Sequence, residues 1–210
     1  MPSGRVIICC ALEIEARAVA RALGVRVGAA EPGLPEVHVV GIGARHVPSL
    51  DESVALLLSV GLAGAIDPTL RRGDVIVDDA TRAIHIDGQP RCRPGRVYHD
   101  DHLVATPELK SELFRASGGA AVVDMETAVL RRVAEQSSIR FAAIRSVCDQ
   151  ADEVLHPALN ELVDEHGRAS ISAAIVRLIR SPGLLPEMLR ARRWSNESLT
   201  SLARVLSGLL

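Results

Sequence analysis

Residues 122–152 read VVDMETAVLRRVAEQSSIRFAAIRSVCDQAD, and the alternation inside this stretch decides the fold. Residues 120–123 are a short Ala and Val run of strand length. Residues 125–136 follow as a helix with Val129 and Val133 on one face. Residues 140–147, RFAAIRSV, then form a second strand, apolar enough to be covered on both sides. A strand, a helix and a buried strand in succession are the unit of a parallel sheet.

The same alternation continues outward. Residues 5–10, RVIICC, are a continuous apolar strand, and residues 13–23 are an Ala-rich helix that stops at Gly24. Strands are expected at residues 37–42 (VHVVGI), at residues 54–60 with a break at Gly61, and at residues 74–77 (DVIV). Residues 81–101 carry Gly, Pro and charge and read as loops with short strands. Thr106-Pro107-Glu108 supplies an N-cap, a proline in the first turn and an acid near the positive helix end. That helix runs to about Ala116 and stops at Gly118-Gly119. Ile171, Ala174, Ile175, Leu178 and Ile179 repeat at helical spacing until Ser181-Pro182-Gly183. The fold class is therefore α/β, with a mostly parallel central sheet flanked by helices on both faces.

Composition narrows the function. The 210 residues are 48% hydrophobic, enough for one sizeable core. A net charge of -2 offers no field for nucleic acid, and 2% aromatics offer few platforms for base stacking. No apolar run reaches the roughly 18 residues that span a bilayer, and no signal-peptide pattern opens the chain, so a cytoplasmic location is expected. Cys9, Cys10, Cys92 and Cys148 form no C-x-x-C pair and read as reduced thiols. Cys9 and Cys10 are expected on opposite sheet faces. His99-Asp100-Asp101-His102 has metal-like spacing but no third ligand from any motif, so it reads as a solvated loop and no metal is expected.

In open parallel sheets, ligands bind beyond the carboxyl ends of the strands. Four segments fall there: Glu13 and Glu15, the Gly61-Leu62-Ala63-Gly64 turn, Asp124-Met125-Glu126, and Asp149 with Asp152. Carboxylates beside a Gly-rich turn suit acid–base chemistry on a polar small molecule. Each also has a structural reading. Glu13 and Glu15 complement a helix dipole, Asp124 caps the next helix, and the glycines permit a tight turn.

Three stretches resemble the nucleoside phosphorylase and nucleosidase superfamily: ALEIEAR at residues 11–17, VGLAGAIDPTLRRGDVIV at residues 60–77, and residues 122–152. Met125-Glu126 followed by Arg145 and Asp149 is the most specific part. Within the superfamily, ATPELKSELFRASGGAAVVDMET and the Pro-Gly-Leu-Leu-Pro stretch at residues 182–186 resemble the hopanoid-associated phosphorylases. The resemblance implies a three-layer phosphorylase/hydrolase-like fold. It also implies release of adenine from a 5′-substituted adenosine, with adenosylhopane of hopanoid biosynthesis as substrate. The alternatives are a methylthioadenosine/S-adenosylhomocysteine nucleosidase and a non-catalytic nucleoside-binding relative.

The resemblance assigns roles residue by residue. Asp149 protonates the purine N7, which requires a pKa raised by burial. Arg145 positions its loop. Glu126 accepts the ribose hydroxyls, Met125 packs on the sugar beside Asp124, and Glu15 activates water. Backbone amides of Gly61, Leu62, Ala63 and Gly64 line the nucleophile pocket. If phosphate is the nucleophile, Arg17 and Arg45 are its candidate ligands. Leu62 replaces a hydroxyl-bearing residue of relatives, Ala65 a glycine and Ser59 an arginine. Val104 and Ala105 stand where nucleosidases carry an aromatic residue, which implies a wider apolar pocket. No cofactor is implied beyond phosphate as an alternative co-substrate. The expected partners are a small-molecule nucleoside, which a lipid can carry, and further copies of the chain in a homodimer or larger ring.

The expected organisation is a catalytic unit at residues 1–183 and a helical tail at residues 184–210. From Arg180 to Leu210 there are five arginines and two acids, a net charge of +3. Leu199, Leu202, Leu206 and Leu209 recur on one helical face, next to Trp194. Two readings stay open: the stripe packs on the domain or a second subunit, or it docks on the inner membrane as a basic amphipathic helix.

Overall fold

The computed structural model describes residues 4–81, 84–86, 88–156 and 185–209. In chain order the elements are β1 (Arg5–Cys10), α1 (Glu13–Leu23), β2 (Glu36–Val39), β3 (Val54–Ala65), β4 (Val75–Asp78), β5 (Cys92–Pro94), β6 (Val97–His99), α2 (Pro107–Ala116), β7 (Val122–Asp124), α3 (Thr127–Gln136), β8 (Arg140–Asp149) and α4 (Leu185–Leu209). The sheet runs β2-β1-β3-β8-β4-β5, with β7 on the far end of β3 and β6 beside β7. β1, β2, β3 and β8 are parallel neighbours, whereas β4 runs antiparallel to β8 and β7 antiparallel to β3. The helix expected around Ile171–Ile179, its stop and the boundary at 183 lie outside the described residues.

The central strands alternate between two helical layers. Ile8, Cys10, Leu56, Leu58, Val60 and Ile144 face α1 and α4, where Ala16, Val19, Leu199, Leu202, Val205 and Leu206 meet them. Ile7, Cys9, Leu57, Phe141 and Ala143 face α3, where Leu130 and Ala134 meet them. The two adjacent cysteines thus enter opposite layers, as strand geometry requires. α1 ends at Gly24, whose left-handed φ of 69° costs a glycine nothing. α2 begins with the Thr106 hydroxyl accepting the Leu109 amide, with Pro107 in its first turn.

Two expectations change. β3 does not break at Gly61 but runs on to Ala65, so residues 61–64 are strand and not a turn. Their backbone register is with Arg145–Asp149 on β8, which rules out an anion nest there. The Leu stripe of α4 is core: Leu199, Leu202 and Leu206 are buried, Leu209 is partly buried, and Trp194 lies beneath the Arg72 and Arg190 guanidiniums. A stripe already covered by α1 and β8 leaves no face for a bilayer, so the membrane-docking reading of these leucines is corrected. No helix among the described residues is long and apolar enough to cross a membrane.

Candidate active site

Buried carboxylates gather near the carboxyl ends of the parallel strands. Glu15 sits in the first turn of α1, directly after β1, and is 3% exposed. Its Oε2 accepts the Leu12 amide at 2.9 Å and its Oε1 accepts the Leu62 amide of β3 at 2.8 Å. Gly61 explains how it fits: a Cβ there would lie 2.8 Å from Glu15 Oε1. Burial pushes the Glu15 carboxyl up, against the two amides and the more distant Arg145 charge. The carboxylate is therefore fixed in orientation and has a raised affinity for a proton, which suits a base that must take one from water.

A second buried carboxylate is positioned by β7, α3 and a loop from the other half of the sheet. Glu126 is buried at the start of α3 but caps no helix amide. Its Oε1 instead accepts the Gly43 amide at 2.9 Å. The loop reaches it through a left-handed run: Gly41, Gly43 and Ala44 all have positive φ. Burial and the neighbouring Asp124 charge raise Glu126 to about 7, with Arg145 opposing. Met125, half-buried, is next to it.

Asp124 and Arg145 form the scaffold beneath this group. Arg145 Nε donates to Asp124 Oδ2 at 2.6 Å, and its Nη2 donates to Ser59 Oγ at 2.6 Å and Thr127 Oγ1 at 3.2 Å. Asp124 Oδ1 accepts the Thr127 amide at 3.1 Å, and Oδ2 also accepts the Thr127 hydroxyl. With both oxygens engaged inside the protein, Asp124 is an anchor rather than a substrate ligand. Arg145 clamps β3, β7 and α3, not the loop after β8. Ser59 is the fully buried acceptor that completes the clamp.

Asp149 ends β8 and is aimed by an irregularity. Ala63 pairs with Val147 and Gly64 with Asp149, so Cys148 is an extra residue in β8. Such a bulge bends a strand and redirects the next side chain. The carboxylate turns against Gly64, where a Cβ would stand 3.0 Å from Oδ2. The two glycines expected to form a turn thus make room for two carboxylates. α4 braces this strand end: Ser198 Oγ donates to the Val147 carbonyl at 2.6 Å, and Trp194 packs under Arg72, which donates to the Cys148 carbonyl at 2.8 Å. The tail is a support for Asp149, a role with no sequence signature.

One residue was missed altogether. Lys110 of α2 is 0% exposed, and its Nζ donates to Asp149 Oδ2 at 2.5 Å. Burial pushes Asp149 up and Lys110 opposes it, so the raised direction expected of an acid holds. A signal did exist. Lys110 is the single lysine of the chain, beside 23 arginines.

The other expected residues make different contacts. Arg17 is exposed and pairs with Glu13 along α1 at 2.6 Å. Arg45 is exposed on the loop after β2. Neither is built into a phosphate site. Val104 packs with Ile66, Ala120 and Val123 in a core cluster, and the Ala105 carbonyl accepts the Leu155 amide at 2.9 Å. That bond joins the start of α2 to the segment after β8. Asp152 is exposed. Among the described residues no group of three or more His, Cys, Asp or Glu side chains could hold a metal. His99 instead contacts Asp101 at 3.1 Å.

Comparison with known proteins agrees with this architecture. Residues 79–180 match the family described as the Phosphorylase superfamily. The chain is similar in fold to the 5′-methylthioadenosine/S-adenosylhomocysteine nucleosidase of Helicobacter pylori, with a TM-score of 0.65 at 16% identity over 99% of this chain and 98% of that one. It is similar to the futalosine hydrolase of Helicobacter pylori, with a TM-score of 0.64 at 16% identity over 97% and 96%. The S-adenosylhomocysteine nucleosidase of Streptococcus pyogenes matches with a TM-score of 0.63 at 18% identity over 99% and 96%. At these identities the likeness is one of fold, and it extends over nearly the whole length of each chain.

Proposed function

We propose that the chain is an enzyme that hydrolyses the N-glycosidic bond of a 5′-substituted adenosine and releases adenine. One observation carries the reading. Three carboxylates from separate strand ends, Glu15, Glu126 and Asp149, are buried at one end of the sheet, and each has a raised proton affinity. Breaking a ribose–base bond passes through an oxocarbenium-like state and needs three tasks done at once. Asp149 gives a proton to the purine N7 as the base gains charge. Glu126 accepts hydrogen bonds from the 2′- and 3′-hydroxyls, a task for an acceptor with two oxygens. Glu15 takes the proton of the attacking water. Phosphorolysis is less well supported, because Arg17 and Arg45 are exposed outside the cluster and Ser59 is already bound to Arg145.

The 5′ substituent we assign is the hopanoid carbon skeleton, on the resemblance of residues 105–127 and 182–186 to the hopanoid-associated group. A methylthioadenosine/S-adenosylhomocysteine nucleosidase is the second reading, favoured by the fold likeness to such enzymes. Adenine release from methylthioadenosine, S-adenosylhomocysteine and adenosylhopane, each with and without phosphate, separates them. Hydrolysis predicts phosphate-independent release that Glu15→Gln lowers by about 100-fold or more. Phosphate-dependent release insensitive to Glu15→Gln overturns the hydrolytic assignment.

A further inference from the structure

The Lys110 ammonium has three acceptors: Asp149 Oδ2 at 2.5 Å, the Gln150 carbonyl at 2.7 Å and the Glu153 carbonyl at 2.9 Å. Three acceptors match its three donors, so the site is shaped for a cation. A buried ion pair is often no more stabilising than an apolar pair of the same volume, so stability alone does not account for it. Residue choice adds to this. Every other basic side chain with a permanent charge is arginine, yet the buried position against the acid holds the compact, tetrahedral amine. A planar guanidinium would not fit three converging oxygens in this way.

We propose that Lys110 is a positioning residue for the acid: it orients the Asp149 carboxyl and compensates the negative charge that appears there as its proton passes to the leaving purine. The inference rests on the reading of Asp149 as the acid. The step balances. The bond from the ribose C1′ to N9 breaks, and its electron pair stays on the purine. The Asp149 proton goes to N7, which leaves neutral adenine and a carboxylate beside an ammonium. Water supplies the hydroxyl to C1′ and its proton to Glu15. Both carboxyl groups exchange protons with solvent once adenine has left.

Other charges face the pair as well. Glu153, on the turn after β8, raises Asp149, but its own carboxylate is bonded to Arg72 from the loop between β3 and β4. The adjacent Cys148 thiol is pushed up to about 12 by burial and the Asp149 charge, and stays neutral. Glu15, on α1, lies against Gly61 of β3, away from Gly64 where Asp149 lies. Lys110 is therefore the group whose removal changes the charge next to Asp149 most directly.

The test is a pH profile of adenine release for wild type, Lys110→Met, Asp149→Asn and the double variant. Activity requires a protonated Asp149, so it falls as pH rises through the Asp149 midpoint. Without the ammonium that alkaline limb moves up by about one pH unit or more, and the plateau falls by about tenfold or more. In the Asp149→Asn background, Lys110→Met adds little. An unmoved limb, or losses that multiply in the double variant, overturns the proposal. A purely structural lysine lowers the plateau without shifting the limb. NMR supplies a readout that needs neither turnover nor a folded variant, because one lysine gives one side-chain nitrogen signal. In wild type that signal should move in step with the Asp149 carboxyl carbon as pH changes; a lysine signal that does not follow the carboxyl overturns the pairing. If wild type releases adenine from none of the substrates, the activity reading fails, and the titration still decides whether the two groups are coupled.

Discussion

Two buried carboxylate–cation pairs stand at the same end of the sheet and differ in almost every detail that matters. Asp124 and Arg145 are both buried, Asp124 has both oxygens engaged, and Arg145 reaches β3, β7 and α3 together. Asp149 is held by Lys110 through one oxygen, at a bulge and against a glycine. Arginine cannot lose its proton at any pH a protein survives, and its planar fork ties several partners at once. It suits a permanent clamp. Lysine is a compact charge beside an acid that keeps an oxygen without a side-chain partner among the described residues. Such a pair can change its protonation without dismantling the scaffold.

The comparison is sharpest where a partner is removed. Arg145→Met leaves Asp124 buried and unpaired, and should destabilise the protein by about 3–5 kcal/mol in urea unfolding, with loss of activity following from loss of fold. Lys110→Met should cost less stability, since Asp149 can take up a proton instead. Equal losses for the two variants would erase the distinction between clamp and proton-handling pair.

Asp149→Asn comes next. The amide keeps the size and can accept from Lys110, yet it has no proton to give. Turnover should fall about 100-fold or more with the melting temperature little changed, measured by adenine release and calorimetry. Near-normal turnover would remove Asp149 from the acid role.

Glu126→Gln gives the smallest and most pH-dependent effect. Glu126 is raised to about 7, so as pH falls through that value the carboxylate proposed to accept the ribose hydroxyls is lost. kcat/KM should drop on the acid side in wild type, and that limb should vanish in the variant. The sign for stability is opposite. Between the ordinary carboxylate range and about 7, the folded state holds a proton that the unfolded chain has released. Wild-type stability therefore declines as pH rises through this window. The melting temperature of Glu126→Gln relative to wild type should improve from pH 5 to pH 8 by about 3 °C or more. A pH-independent difference would show that Glu126 is not held near neutrality by burial and Asp124.

The sequence by itself determined the layering. Continuous apolar strands, an Ala-rich helix ended by Gly24 and the Thr106-Pro107 start of α2 are local signals. Strand and helix periods and caps depend on near neighbours, and the structure keeps them within a few residues. It also made Glu15, Glu126 and Asp149 legible as candidates, because they follow strand ends and match a motif. What these residues touch was decided only by the tertiary structure. Gly61 and Gly64 read as a turn because glycine usually marks one. They are in fact the open positions of a strand against which Glu15 and Asp149 lie, and that requirement comes from other elements. Asp124 looked like a ligand, and Arg145 looked like a brace for Asp149, until packing joined them to each other. The Leu stripe of α4 carried a periodicity that does not say what covers it; α1 and β8 do. Lys110 stands 39 positions from Asp149, and only the sheet that brings α2 to the end of β8 sets the amine against the acid.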